Sequence, residues 1–166
     1  NHPDGKVFAY LALLVGIGNA GFWTIFPLIL QETIANEGLI GLYYSCLAVI
    51  TLFASILSTY LFTTVSKITI TIWSMVTSVI CMLIMTYAEQ VWQIAGLDIP
   101  RAICVLLFST CLSLFLFDFT KNKNIAVAQS RYYLFVNIGW LIGPISAGIL
   151  AKYFGNQSIF LFTSFI

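Results

Sequence analysis

Asp98 and Arg101 stand three residues apart in "GLDIPRAICVLLF", at the start of an otherwise uncharged run. An acid and a base at this spacing share one helix face and can neutralise each other. In lipid an ionisable side chain is expensive, and by default it marks a solute pathway or a coupling site. Arg101 is therefore the first candidate for handling a substrate or a coupling ion. The alternative is an arginine that snorkels to the membrane surface with Asp98 as its partner. Asn19 and Trp23 form a second candidate set, four residues apart in "GIGNAGFWTIFP". Either Asn19 bonds a solute, or it bonds across to another helix while Trp23 packs. Asn137, just ahead of a run of glycines, admits the same two readings. Tyr43, Tyr44, Tyr132 and Tyr133 fall near the ends of apolar runs and read as interfacial belt residues. Asp118, beside "TKNKN", reads as a solvated helix end.

Little else in the chain could do chemistry. The only histidine, His2, lies in the polar opening "NHPDGK" and reads as part of a frayed terminus. Cys46, Cys81, Cys104 and Cys111 form no C-x-x-C pair and have no neighbouring histidine, so they read as small apolar packing residues without a metal. There is no glycine-rich phosphate loop, no HExxH and no Ser-His-Asp set. An enzyme is not expected, nor is a cofactor. A net charge of +1 with no basic cluster excludes nucleic acid as a partner.

The elements that must position these residues follow from composition. Of the 166 residues 60% are hydrophobic and 8% charged, against roughly 25% charged in soluble domains. The expected partner is a lipid bilayer. Charges divide the chain into apolar spans at about residues 7–30, 39–66, 68–88, 94–117, 132–151 and 158–166. The last is shorter than the roughly 20 residues a crossing needs, which suggests a fragment of a longer protein. Backbone groups in lipid must be satisfied internally, so these runs are expected to be helices. The expected fold is all-α, one polytopic membrane helix bundle over residues 1–166. With the amino terminus inside, Lys6, Lys67, Lys121, Lys123 and Arg131 fall on the cytoplasmic side. Glu32, Glu37, Glu89 and Lys152 fall opposite. That asymmetry obeys the positive-inside rule and places the amino terminus in the cytoplasm of a plasma or inner membrane.

The fifth span reads "NIGWLIGPISAGIL" from Asn137 to Leu150. Gly139, Gly143 and Ala147 recur every four residues as one smooth stripe; Trp140, Pro144 and Gly148 form the next. In lipid, small residues let helix backbones approach closely, and Pro144 is expected to bend the helix by removing a hydrogen bond to Trp140. A large residue at Gly143 should force the helices apart, with alanine expected to be milder.

Gly139-x-x-x-Gly143-Pro144-x-x-Ala147-Gly148 resembles the fifth-helix motif of the major facilitator superfamily, G-x-x-x-G-P-x-x-G-G. Ala147 stands in place of one glycine, and Ser130 in place of an earlier one. In the loop between spans two and three, Lys67 alone matches the family's basic motif, with Phe62, Ser66 and Thr69 at its other places. Arg101 matches the fourth-span motif R-x-x-Q-G, where Cys104 and Val105 replace the last two residues. The resemblance implies the amino-terminal six-helix half of a twelve-helix secondary transporter, moving a small-molecule substrate by alternating access. It further implies efflux or ion-coupled exchange, and a carboxy-terminal half as partner. The other reading is a membrane scaffold or sensor on the same fold that transports nothing.

Overall fold

The structure, a computed structural model, describes residues 6–34, 36–88, 90–120 and 125–165. His2, Glu89, Lys121 and Lys123 lie outside the described residues, and so do the expectations that rest on them. Among the described residues every regular element is an α-helix: α1 (Lys6–Ile34), α2 (Glu37–Thr64), α3 (Lys67–Thr86), α4 (Val91–Phe119), α5 (Ile125–Phe154) and α6 (Ser158–Phe165). The first five are long and apolar enough to cross a membrane.

α1, α4 and α5 outrun at both ends the apolar spans read from the sequence. α5 begins at Ile125 and ends at Phe154, beyond the expected 132–151. Hydropathy marks where a helix meets lipid, whereas a helix keeps its backbone satisfied into the headgroup region as well. Gln129, Ser130 and Arg131 therefore continue α5.

Local chemistry explains several ends. The Asn36 side chain accepts hydrogen bonds from the backbone N–H of Gly38 at 3.0 Å and Leu39 at 3.3 Å, capping α2. Ser66 does the same for α3 through the N–H of Thr69 at 3.2 Å. α5 stops at Gly155, whose φ of +85° suits glycine, and whose N–H bonds the Ala151 carbonyl at 3.0 Å.

Hydroxyls inside the helices bond back to their own backbone. Thr24 donates to the Ala20 carbonyl at 2.7 Å, Thr51 to Leu47 at 2.9 Å, and Ser146 to Gly143 at 2.8 Å. Such residues enter a lipid-facing helix without leaving a polar group bare.

The chain groups into two compact units, with boundaries inside α1 and α4. The first comprises Asn1–Phe26 and Leu112–Ile166. Its core is aromatic: Phe22 stacks on Phe26 at 4.6 Å between centroids and meets Phe160 of α6 at 6.0 Å. The second is Pro27–Cys111, holding α2, α3 and most of α4. Its buried residues include Leu47, Ile70, Met82, Met85 and Ile94. α2 leaves Leu52, Phe53, Ile56 and Leu57 exposed, a face suited to lipid rather than water.

Candidate functional site

In the Pro27–Cys111 unit, α4 carries Asp98 and Arg101 on consecutive turns of one face. The Nε of Arg101 donates to Oδ1 of Asp98 at 2.7 Å, and the two side chains are 1% and 0% exposed. Rather than snorkelling to the surface, Arg101 is sealed inside. The second carboxylate oxygen is also used: the Tyr43 hydroxyl, from α2, donates to Oδ2 at 2.5 Å. Both oxygens of Asp98 thus carry a donor, which is what a buried carboxylate requires.

α4 runs unbroken through Pro100, which stands between the acid and the base. Proline has no N–H for the Gly96 carbonyl, and Gly96 is exposed. At 1.5 Å per residue α4 is about 44 Å long, and Arg101 lies about 15 Å from its start. A hydrocarbon core about 30 Å thick centred on the helix would hold Arg101 inside it.

α3 completes the surroundings. Cys81 lies within electrostatic reach of Arg101 and Asp98. Cys104 shares a side-chain hydrogen bond with Thr77. Farther along, the thiol of Cys111 donates to the Lys67 carbonyl at 3.6 Å. These pairings run in opposite directions along α3 and α4, so the helices are antiparallel. Three of the four thiols, all unbridged, therefore line one polar seam. Tyr44 lies edge-on to Tyr43, with ring centroids 5.3 Å apart.

The other unit holds the glycine stripe. Gly139, Gly143 and Ala147 are buried on α5, and the surface they meet is α1. A Cβ at Gly139 would sit 2.6 Å from the Leu13 carbonyl oxygen, and one at Gly143 would sit 2.7 Å from that of Ile17. In return, a Cβ at Gly16 would come within 2.7 Å of the Val136 carbonyl oxygen. The two backbones are in direct contact, closer than any side chain permits. One methyl is already too large here, so alanine at Gly143, although smaller than leucine, also meets the α1 backbone. Gly148 lies outside this contact, with nothing within 4 Å of its would-be Cβ. Pro144 is half-buried and α5 continues through it.

The remaining candidates belong to the other unit. Asn19 is half-buried on α1, Trp23 is 37% exposed with its edge on Phe22, and Asn137 is exposed on α5. Two tyrosines read as belt residues have interior roles. Tyr43 holds Asp98, and Tyr132 is buried and hydrogen-bonded to Ser113. The available signal was that a phenol in an apolar run needs a partner.

Among the described residues no three His, Cys, Asp or Glu side chains are grouped to hold a metal. The Pro27–Cys111 unit offers a buried, neutralised charge pair within α4, braced from α2; the other unit, by itself, offers a backbone-to-backbone contact between α1 and α5. No curated protein matches the chain. The family model of the Major Facilitator Superfamily matches residues 8–166, nearly the whole sequence, and the chain belongs to this family of membrane transporters.

Proposed function

We propose that the chain is the amino-terminal half of a twelve-helix secondary transporter that moves a small solute by alternating access, with Arg101 on the solute pathway. The observation that carries this reading is the Asp98–Arg101 pair, fully buried and braced by Tyr43. A buried ion pair rarely repays its desolvation, and apolar residues of similar volume would often be as stable. Its presence in an apolar helix is better explained by a task than by stability. Alternating access supplies one, because rocking of two halves exposes midplane groups to each side in turn. Asn19 and Trp23 on α1 and Asn137 on α5 are proposed as further solute contacts. The chain's partners are then the lipid bilayer, a carboxy-terminal half and the solute. We place the amino terminus in the cytoplasm of a plasma or inner membrane.

Single substitutions confound the test, because removing one partner from a buried pair costs about 3–5 kcal/mol. The neutral double variant Asp98→Asn/Arg101→Gln avoids the stranded charge. In the full-length protein it should stay folded, with thermal stability near wild type, and lose transport in proteoliposomes by at least tenfold. Wild-type transport by the double variant would make the pair purely structural.

A further inference from the structure

We propose that the start of α5 binds an anionic phospholipid, its phosphate on Arg131 and Ser130 and its acyl chains along the helix face that continues from them. The inference needs only a chain that sits in a membrane and does not rest on the transport reading. A cavity of about 320 Å³ opens here, lined by Ala126, Val127, Ser130, Arg131 and Leu134. These residues recur three and four apart, so they share one face of α5. Arg131 and Ser130 are both exposed, and among the described residues no acid pairs with Arg131. A guanidinium fork donates to two phosphate oxygens at once, and the Ser130 hydroxyl supplies a further donor.

Position decides what kind of anion fits. Arg131 is the last charge before the uncharged run 132–151. Tyr133 lies two residues on, and Tyr10 of α1 stands edge-on to Phe135 with centroids 5.7 Å apart. Both tyrosines are exposed, as aromatic residues at headgroup depth are. From the cavity the same face runs on through Leu134, Ile138, Leu141 and Ile145, all of them exposed. Leu134 to Ile145 covers about 17 Å at 1.5 Å per residue. That is about half of a roughly 30 Å hydrocarbon core, the depth of one leaflet. A soluble anion would use the cation and leave this apolar lane bare. A lipid has a phosphate for one end and chains for the rest. Zwitterionic lipids bring an ammonium towards Arg131, so a net anionic headgroup fits better.

The full-length protein in phosphatidylcholine nanodiscs tests this, with a fluorophore on Leu141→Cys in a background lacking the native thiols. Leu141 is 71% exposed, so the label lies on the acyl lane and not in the core. Brominated acyl chains quench such a label on contact. Brominated phosphatidylglycerol, diluted into the bilayer, should quench with about fivefold higher apparent affinity than brominated phosphatidylcholine, the worth of one basic residue against an anionic headgroup. Arg131→Gln should erase that preference. Arg131→Lys should keep part of it, because lysine retains the charge without the fork. Ala126→Phe, which fills the cavity and spares the charge, should erase it as well. Excess glycerol phosphate, a headgroup without chains, should not release the quenched state. Equal quenching by the two lipids, an unchanged preference in Arg131→Gln or in Ala126→Phe, or release by glycerol phosphate each overturns the proposal. So does a label out of reach of both lipids, the result expected if a carboxy-terminal half covers this face.

Discussion

A methyl group is all that separates Gly143 from alanine, and the neighbouring helix leaves no room for it. The would-be Cβ falls 2.6 Å from the Cβ of Ala20 and 2.7 Å from the Ile17 carbonyl oxygen. A flexible side chain could turn aside, but a helix backbone can only be displaced as a whole. Gly143→Ala and Gly139→Ala should each destabilise by about 1–3 kcal/mol, the range of an overpacked core. Gly148→Ala, which points into open space, should stay within about 0.5 kcal/mol of wild type. Thermal unfolding of the three variants in detergent checks the contrast, and equal losses at Gly143 and Gly148 would contradict the close contact. The four-residue repeat made the stripe of Gly139, Gly143 and Ala147 legible in the sequence, because residues four apart share a helix face. Which helix they meet, and how closely, was not legible. Tyr43 was hidden for the same reason. Its partner Asp98 is 55 residues away in sequence, and no local pattern records a contact between helices.

At the scale of elements, three helices contain a proline and none is broken by it: α1 at Pro27, α4 at Pro100 and α5 at Pro144. In water an interior proline costs about 3 kcal/mol; here each helix is much longer than one turn and continues on both sides. Pro144→Ala should restore an N–H for the Trp140 carbonyl and leave the protein folded. If the hydrogen bond missing at Pro144 serves rocking, the variant should change transport rate or coupling in proteoliposomes; unchanged flux would reduce Pro144 to packing. The end of the same helix gives a second expectation. Gly155 has φ +85°, a backbone conformation that costs other residues about 1–2 kcal/mol. Gly155→Ala should lower stability by that amount and Gly155→Asn by less, measured by thermal unfolding. Sequence reading found the helices readily because apolar runs of this length in lipid have one solution. It placed their ends less well, since charges such as Arg131 limit contact with lipid without ending the helix.

For the whole molecule, the loop charges predict a direction across the membrane. α2 is 28 residues long, or about 42 Å, enough to reach both surfaces. Single cysteines at Glu37 and Thr64, in a background lacking the four native thiols, should label from opposite sides with an impermeant maleimide. Glu37→Cys should react in intact cells and Thr64→Cys only after permeabilisation; the reverse pattern would invert the proposed orientation. The bond between Tyr43 and Asp98 also bears on how the chain is built. Ribosomal synthesis delivers α2 to the membrane before α4. An aspartate and an arginine in one inserting helix together cost about 5–7 kcal/mol at mid-depth, which the surrounding leucine, isoleucine and phenylalanine must offset. The ion pair is internal to α4 and can form as that helix emerges, and the Tyr43 hydroxyl is already waiting when the carboxylate arrives. Each polar group thus meets its partner in the order of translation, and α4 enters lipid with its charges already answered.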